Sequence, residues 1–439
     1  MRRFVTIGCM LGLIPLLLSG CGLSRTIAQQ RAGPPTDLYL FAVPLGLPPD
    51  QLPPGMTLVP LDAQTLGDRQ DRPPLGLATR FMTVSPDGAL LATFDYVRAG
   101  GPFSPPSDTT VTVRDNRTGA ARGSFHPPAP VLGTRLSRDG ARLVVQPYPS
   151  GSASSNEWDV LDTVDGHLLA TVNAAPSNDY LPTLIDADAQ VLYRFITAAP
   201  AATAPGPRPV SLIAYDLRTG TERGRLALPE VTTGSWPTGR KVRGEAVRAA
   251  LSPGIALSPD GRQIAIVHAD ADRVTLVDTQ RLTVARTINL TGGSGLLYIL
   301  GLIPQPVAAK GSPVVGTSRD AIYAPDGRSL YLSGIQTLLD DHDAQTFHSL
   351  GLTRLDLARN TITADALPGR TINWVLPTPD GQSIFVFGPK EGEGDSHILL
   401  PNIPSLLQRL DARTLAVRTE REFPSYRGGR LIQAPDVGR

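Results

Sequence analysis

Two short patterns alternate along nearly the whole chain and constrain its fold more than any other feature. The first is Ser-Pro-Asp-Gly, or a near copy, after an apolar residue. It occurs at Ser85-Pro86-Asp87-Gly88, Ser137 to Gly140, Ser258 to Gly261, Ala324 to Gly327 and Thr378 to Gly381, with a worn version at Asp186 to Ala189. The second is an alternating apolar run that ends in aspartate, at Asp62, Asp115, Asp162, Asp216, Asp278, Asp356 and Asp411. Proline presets φ at the first central position of a tight turn, aspartate bonds back to nearby backbone, and glycine accepts positive φ. Each copy of the first pattern therefore predicts a turn between two antiparallel strands. The best-preserved unit, residues 254 to 290, predicts four strands, at 254–257, 262–267, 273–277 and 284–290. Period-2 alternation and β-branched residues favour strands throughout, and no long segment carries a helical period.

Four antiparallel strands per unit, repeated in tandem, is the sequence form of a propeller blade. With six turns of the first kind interleaved with seven aspartate-ended strands, the chain resembles the YVTN/TolB-like and WD-type propeller repeats of bacterial exported proteins. The resemblance spans nearly everything after the N-terminal segment. It implies an all-β fold, a β-propeller of seven four-stranded blades, with six blades plus a cap as the second expectation. A solenoid or a pair of β-sandwiches is the remaining alternative. Seven third strands against six first-strand turns leaves the N-terminal unit one strand short, where runs at 38–42 and 56–59 precede Asp62. A closing strand at 430–433 completes that unit, joins the two chain ends in one sheet and leaves no exposed sheet edge at the seam.

The N-terminus carries the most specific local signal. Arg2 and Arg3 precede an almost wholly apolar run from Phe4 to Leu18, too short for a comfortable membrane span and proportioned like a secretory signal. Leu18-Ser19-Gly20-Cys21 follows at once and resembles the lipobox of bacterial lipoproteins. The resemblance implies diacylglycerol transfer to the Cys21 thiol and cleavage before it, with an ordinary secretory signal as the alternative. Cys9 and Cys21 are the two cysteines, and Cys9 falls in the segment that would be removed. A mature chain with one cysteine forms no internal disulfide. The expected organisation is a lipoprotein signal peptide at 1–20, a lipidated N-terminus and linker at 21–36, and the propeller at 37–439. Membrane attachment is through lipid at Cys21, on the extracytoplasmic side.

A formal net charge of +1 and the absence of a basic stripe argue against nucleic acid as a partner. In a four-stranded blade the first-to-second and third-to-fourth connections share one end of the propeller, and they are short here. The other end takes nearly all the insertions, at 100–108, 149–156, 198–209, 230–254, 292–318, 334–350 and 388–406. Binding residues concentrate on loops held by a rigid scaffold, so the long-loop face is the expected binding face. Its candidate ligand-binding residues are Trp236, Arg240, Arg243, Tyr298, His342, His348 and His397. Asp340, Asp341, His342 and Asp343 with His348, and Glu391, Glu393 and Asp395 with His397, have metal-ligating side chains, although solvated polar loops read the same way. The apolar run Leu296 to Pro304 reads either as extra core or as an exposed contact.

Other chemistry fails on inspection. Gly234 to Gly239 has P-loop spacing, but Arg240 and Lys241 stand where Lys-Ser/Thr is required. Gly293-Ser294-Gly295 lacks the second glycine of a nucleophile elbow, because Leu296 stands there. The repeated aspartates read as structural, one per unit, and nothing calls for a cofactor. The favoured expectation is a non-catalytic binding or scaffolding module for a protein, peptide or glycan of the cell envelope. The alternative is a hydrolase or lyase with a metal in the central funnel, and fold alone does not decide between them.

Overall fold

The computed structural model describes residues 38–44, 56–69, 75–77, 81–97, 108–147, 156–175, 183–197, 206–242, 245–290, 314–339, 345–390, 405–423 and 426–433, apart from positions 87 and 117. Among them there is no helix. The chain opens with β1 (Leu38–Pro44), β2 (Met56–Leu61) and β3 (Leu75–Leu77). One sheet follows from β4 (Phe81–Val84), β5 (Leu90–Val97), β6 (Asp108–Asp115) and β7 (Ala121–Phe125), and the next from β8 (Val131–Leu136), β9 (Arg142–Pro147), β10 (Glu157–Asp162) and β11 (Leu168–Asn173). Then come β12 (Thr183–Ile185), β13 (Val191–Thr197), β14 (Arg208–Asp216), the long β15 (Glu222–Val242) and β16 (Glu245–Ser252). A third sheet of four consecutive strands is β17 (Gly254–Leu257), β18 (Gln263–Val267), β19 (Arg273–Asp278) and β20 (Thr283–Asn289). Next are β21 (Val314–Tyr323), β22 (Ser329–Leu339), β23 (Gln345–Asp356) and β24 (Thr361–Ala366). A fourth such sheet is β25 (Trp374–Pro377), β26 (Ser383–Pro389), β27 (Ser405–Asp411) and β28 (Val417–Phe423), and β29 (Tyr426–Gln433) ends the chain.

Turn chemistry sets this arrangement. In all six first-strand turns the residue in the serine position donates its N–H five residues ahead and accepts from the fourth turn residue, as in Ser258 N to Gln263 O (2.8 Å) and Gly261 N to Ser258 O (2.9 Å). The fourth position is left-handed in each copy, and Ala189 holds it at φ 50° in the worn turn. A side chain at Gly140 would collide with Leu90, at 1.9 Å from its Cδ1. The aspartate-ended strands close equally uniformly. Asp62, Asp162, Asp216, Asp278, Asp356 and Asp411 each accept a backbone N–H two residues on, and Asp115 accepts that of Thr118. Six copies have a register shift just before the aspartate, as between Leu276 and Val277. Such bulges increase the local twist. The residue after the aspartate then donates into the first-strand turn of its own sheet, as Thr279 N does to Arg262 O. The two kinds of turn are thereby locked together at one end of the molecule, hereafter the turn face.

Neighbouring sheets approach one another at their first strands (β4 with β8, β17 with β21, β25 with β29), which places those strands innermost. Gly254 is needed there, because a Cβ would lie 2.8 Å from the Arg319 carbonyl carbon. Each apolar cluster is shared by two successive sheets, for example Val267, Leu276 and Ile288 with Leu330, Leu332 and Leu355. Radial sheets packed face to face about their first strands make a β-propeller. The chain ends share one sheet, ordered β29-β1-β2-β3, with Leu38 opposite Gln433 and Leu40 opposite Leu431.

One expectation is overturned. The insertions at 230–254 and 334–350, read from sequence as loops, are largely paired strand. β15 continues past its sheet and turns back as β16, β16 pairs in parallel with β21, and β22 and β23 extend together as far as Leu339 opposite Gln345. A nine-stranded sheet results, ordered β12 to β16 and then β21 to β24. The physical reason is that bending these hairpins away from the ring leaves their backbone groups able to pair with each other, satisfying donors and acceptors that a loop would leave to water.

Candidate functional site

Opposite the turn face, the extended parts of β15, β16, β21, β22 and β23 form a continuous paired platform. Trp236 is half-buried on β15, opposite Ala249, and His348 is half-buried on β23, opposite Gln336. Arg240 also lies on β15. Trp236 and His348 are therefore on strands of one sheet rather than on separate loops. Arg243, Tyr298, His342 and His397 lie outside the described residues, as do Cys21, the Leu296 to Pro304 run, Asp340, Asp341, Asp343, and the Glu391 to Asp395 carboxylates.

The root of the platform is a polar cluster that the sequence did not single out. Thr232 Oγ1 donates to Asp270 Oδ2 (2.7 Å), Arg273 Nη1 pairs with Glu230 Oε2 (3.2 Å), and Arg319 Nη2 pairs with Asp272 Oδ1 (3.0 Å). These contacts bind β15 and β21 to the β18–β19 connection. His268 is buried beneath them, with Nε2 2.9 Å from Thr275 Oγ1 and Nδ1 3.8 Å from Asp270 Oδ1. Burial pulls its pKa below the ordinary histidine value, so the ring is neutral at neutral pH. In the inner strand β21, Asp320 has its pKa raised by burial, and Arg135 in the inner strand β8 has its pKa lowered by the same cause. Both remain accessible to solvent, so ionisable side chains are present on the inner strands. Arg194 is buried between the β8–β11 sheet and β13, with Nη2 2.9 Å from Asn156 Oδ1 and Nη1 without a hydrogen bond.

Two cavities lie elsewhere. One of about 530 Å³ opens at the turn face between Ser258-Pro259-Asp260 and Pro325-Asp326-Gly327, and one of about 360 Å³ lies between Tyr193 and Thr279. Asp162, Asp165 and His167 bring three possible metal-ligating atoms within 4.8 Å of one another, also at the turn face. Asp165 and His167 are already bonded to each other at 2.7 Å. Of the metal candidates read from sequence, His348 alone is described. Shape at this scale depends on how neighbouring sheets meet, which residue spacing does not reveal.

No protein-family model matches the chain, and no curated protein does. Solved structures do. A periplasmic gluconolactonase from Pseudomonas aeruginosa is 14% identical, with 91% of this chain and 100% of that one covered and a TM-score of 0.52. A putative 6-phosphogluconolactonase from Bacteroides fragilis is 13% identical over 91% and 98%, with a TM-score of 0.41. BamB from Moraxella catarrhalis is 11% identical over 85% and 87%, with a TM-score of 0.38. At 14% identity the likeness to the gluconolactonase bears on the fold alone, and it agrees with the β-propeller described above.

Proposed function

We propose that this chain is an exported lipoprotein, anchored through Cys21, whose seven-bladed propeller is a non-catalytic binding module for a protein, peptide or glycan of the cell envelope. The blade count follows if the nine-stranded sheet is two blades, β12–β15 and β21–β24, bridged by β16, and the sheet shared by the chain ends is another. The observation that carries the binding reading is the platform: five strands extend past the ring on one face and hold Trp236, Arg240 and His348 on a single sheet. Aromatic and arginine side chains on a rigid support are what interfaces use as anchors. The alternative of a metal in the central funnel has less in its favour, since the three-residue metal-ligating group among the described residues lies at the turn face.

The test exchanges the platform tips at 236–249 and 336–348, which lie beyond the Ser235–Ala250 and Ile335–Ser349 pairs, for short Gly-Asn turns, after an envelope partner has been identified by crosslinking in cells. The ring should still fold, because surface insertions cost little to shorten, and binding should be lost. Binding that survives both exchanges, but fails when the Ser-Pro-Asp-Gly turns are altered, assigns the partner to the other face.

A further inference from the structure

We infer that the turn face rests on the membrane, as an interfacial contact with lipid, while the platform points away from it. This rests on the reading of Cys21 as the lipid-bearing residue. Chain direction is the first argument. β1 occupies the second position of its sheet, with Leu38 opposite Leu61, the residue before Asp62. β1 therefore starts at the turn face, and the chain from Cys21 enters there. Residues 22–37 intervene, a stretch whose full extension is at most about 55 Å.

The second argument is where apolar side chains are exposed. Val164, Leu168, Leu169, Val284 and Val417 are the large hydrophobic residues that are exposed among the described residues, with Val164 71% accessible. All five belong to one end. Val164 is in the turn after Asp162, Leu168 and Leu169 begin β11, Val284 is the second residue of β20, and Val417 is the first of β28. A single exposed valine needs no explanation. Five at the end where the tether enters give that end apolar side chains able to meet lipid. They sit on the β8–β11, β17–β20 and β25–β28 sheets, which alternate around the ring with others between them. Contacts on three separated sheets suit a planar surface better than a peptide groove.

Part of the charge at this face is matched within it. The turn aspartates are engaged by backbone N–H groups, and Arg122, Arg223 and Arg418 pair with Asp115, Asp216 and Asp411. Side chains that dip into the headgroup boundary add to an acyl anchor without replacing it.

The experiment uses the full acylated chain in phosphatidylcholine vesicles. Acylated Cys21 does not react with thiol reagents, so single replacements Val164→Cys, Val284→Cys and Val417→Cys can each be labelled with bimane, with Ser235→Cys on β15 as the opposite-face reference. Lipid spin-labelled near the headgroup should quench the three turn-face probes and shift their emission to the blue, leaving the Ser235 probe unchanged. A chain that floats with the vesicles but shows quenching at Ser235, or at no position, overturns the orientation and leaves the anchor standing. A wild-type chain that stays in solution like Cys21→Ser overturns the anchor, and the orientation with it.

Discussion

Two junctions between neighbouring sheets solve the same problem differently. Between β17–β20 and β21–β24 the chain runs on from one sheet to the next, and the shared core is mainly aliphatic, with Tyr323 its one aromatic residue. Two guanidinium groups tie it: Arg286 donates to a carbonyl of the next aspartate turn, that of Leu357, and Arg319 pairs with Asp272. At the seam, where β25–β28 meets the sheet built from both chain ends, Phe385, Phe387 and Phe423 are buried against Leu38, Leu40, Leu61 and Leu66. Three side chains converge there on the turn after β2. Arg421 reaches Leu66 O (2.8 Å) and both oxygens of Asp68 (2.9 and 3.1 Å), and Arg409 and Thr419 both reach Gln64 O. The difference follows from chain entropy. Pairing Leu38 with Gln433 closes a loop roughly a hundredfold longer than a tight turn, at an added cost of about 4 kcal/mol. Nothing covalent holds the seam, so its contacts must offset that cost, and larger aromatic burial with more polar ties is where the offset is found.

Removing the closing strand should therefore have the largest effect. Deleting the chain from Arg430 onward strips β1 of the partners of Leu38, Tyr39, Leu40 and Phe41 and leaves that half of β1 as an edge. Thermal unfolding should stay a single transition at a much lower midpoint, a loss on the order of 4 kcal/mol or more. An unchanged midpoint would mean that the ring does not depend on its seam.

Core truncation should discriminate between the junctions next. Phe387→Ala at the seam should cost about 3–5 kcal/mol and Leu355→Ala at the ordinary junction about 2–5 kcal/mol, each through a cavity. Size alone does not separate them, but coupling does. In the chain lacking residues from 430 onward, Phe387→Ala should cost much less than in the full chain, because its surroundings are already loosened, whereas Leu355→Ala should add in full. Equal additivity at both sites, measured by denaturant midpoints, would remove the distinction.

How much of this was legible in the sequence depends on whether a feature is local. The first-strand turns were, since proline, aspartate and glycine act within four residues, and even Asp186 to Ala189 adopts the same turn. The closing strand at 430–433 was legible because a missing partner could be counted. The platform was not. Residues 230–242 carry Gly234, Pro237 and Gly239, which argue locally against strand, while their partner β16 lies across a turn and its own partner β21 across a long insertion. The convergence of Arg421 and Asp68 was equally hidden, since 353 positions separate them and no local pattern ties one to the other.

The smallest effect is expected from that pair, and it tests how the seam is held once its core is intact. Arg421 and Asp68 are 30% and 51% accessible, so their ion pair is screened and contributes below about 1 kcal/mol. The same guanidinium also donates to Leu66 O and lies 4.5 Å over the Phe423 ring. The bond to the carbonyl contributes roughly 0.5–1.5 kcal/mol net and is far less sensitive to salt. Arg421→Met should thus lower stability by about 1–2 kcal/mol, and Asp68→Asn by less than about 1 kcal/mol. At 1 M salt, where the Debye length falls to about 3 Å, the Asp68→Asn effect should nearly vanish and most of the Arg421→Met effect should remain. Arg286→Met, which removes one bond to Leu357 O at the ordinary junction, should resemble the high-salt value of Arg421→Met. If Arg421→Met instead loses its whole effect in salt, the seam is held at this point by charge alone, and the bond to Leu66 O contributes nothing measurable.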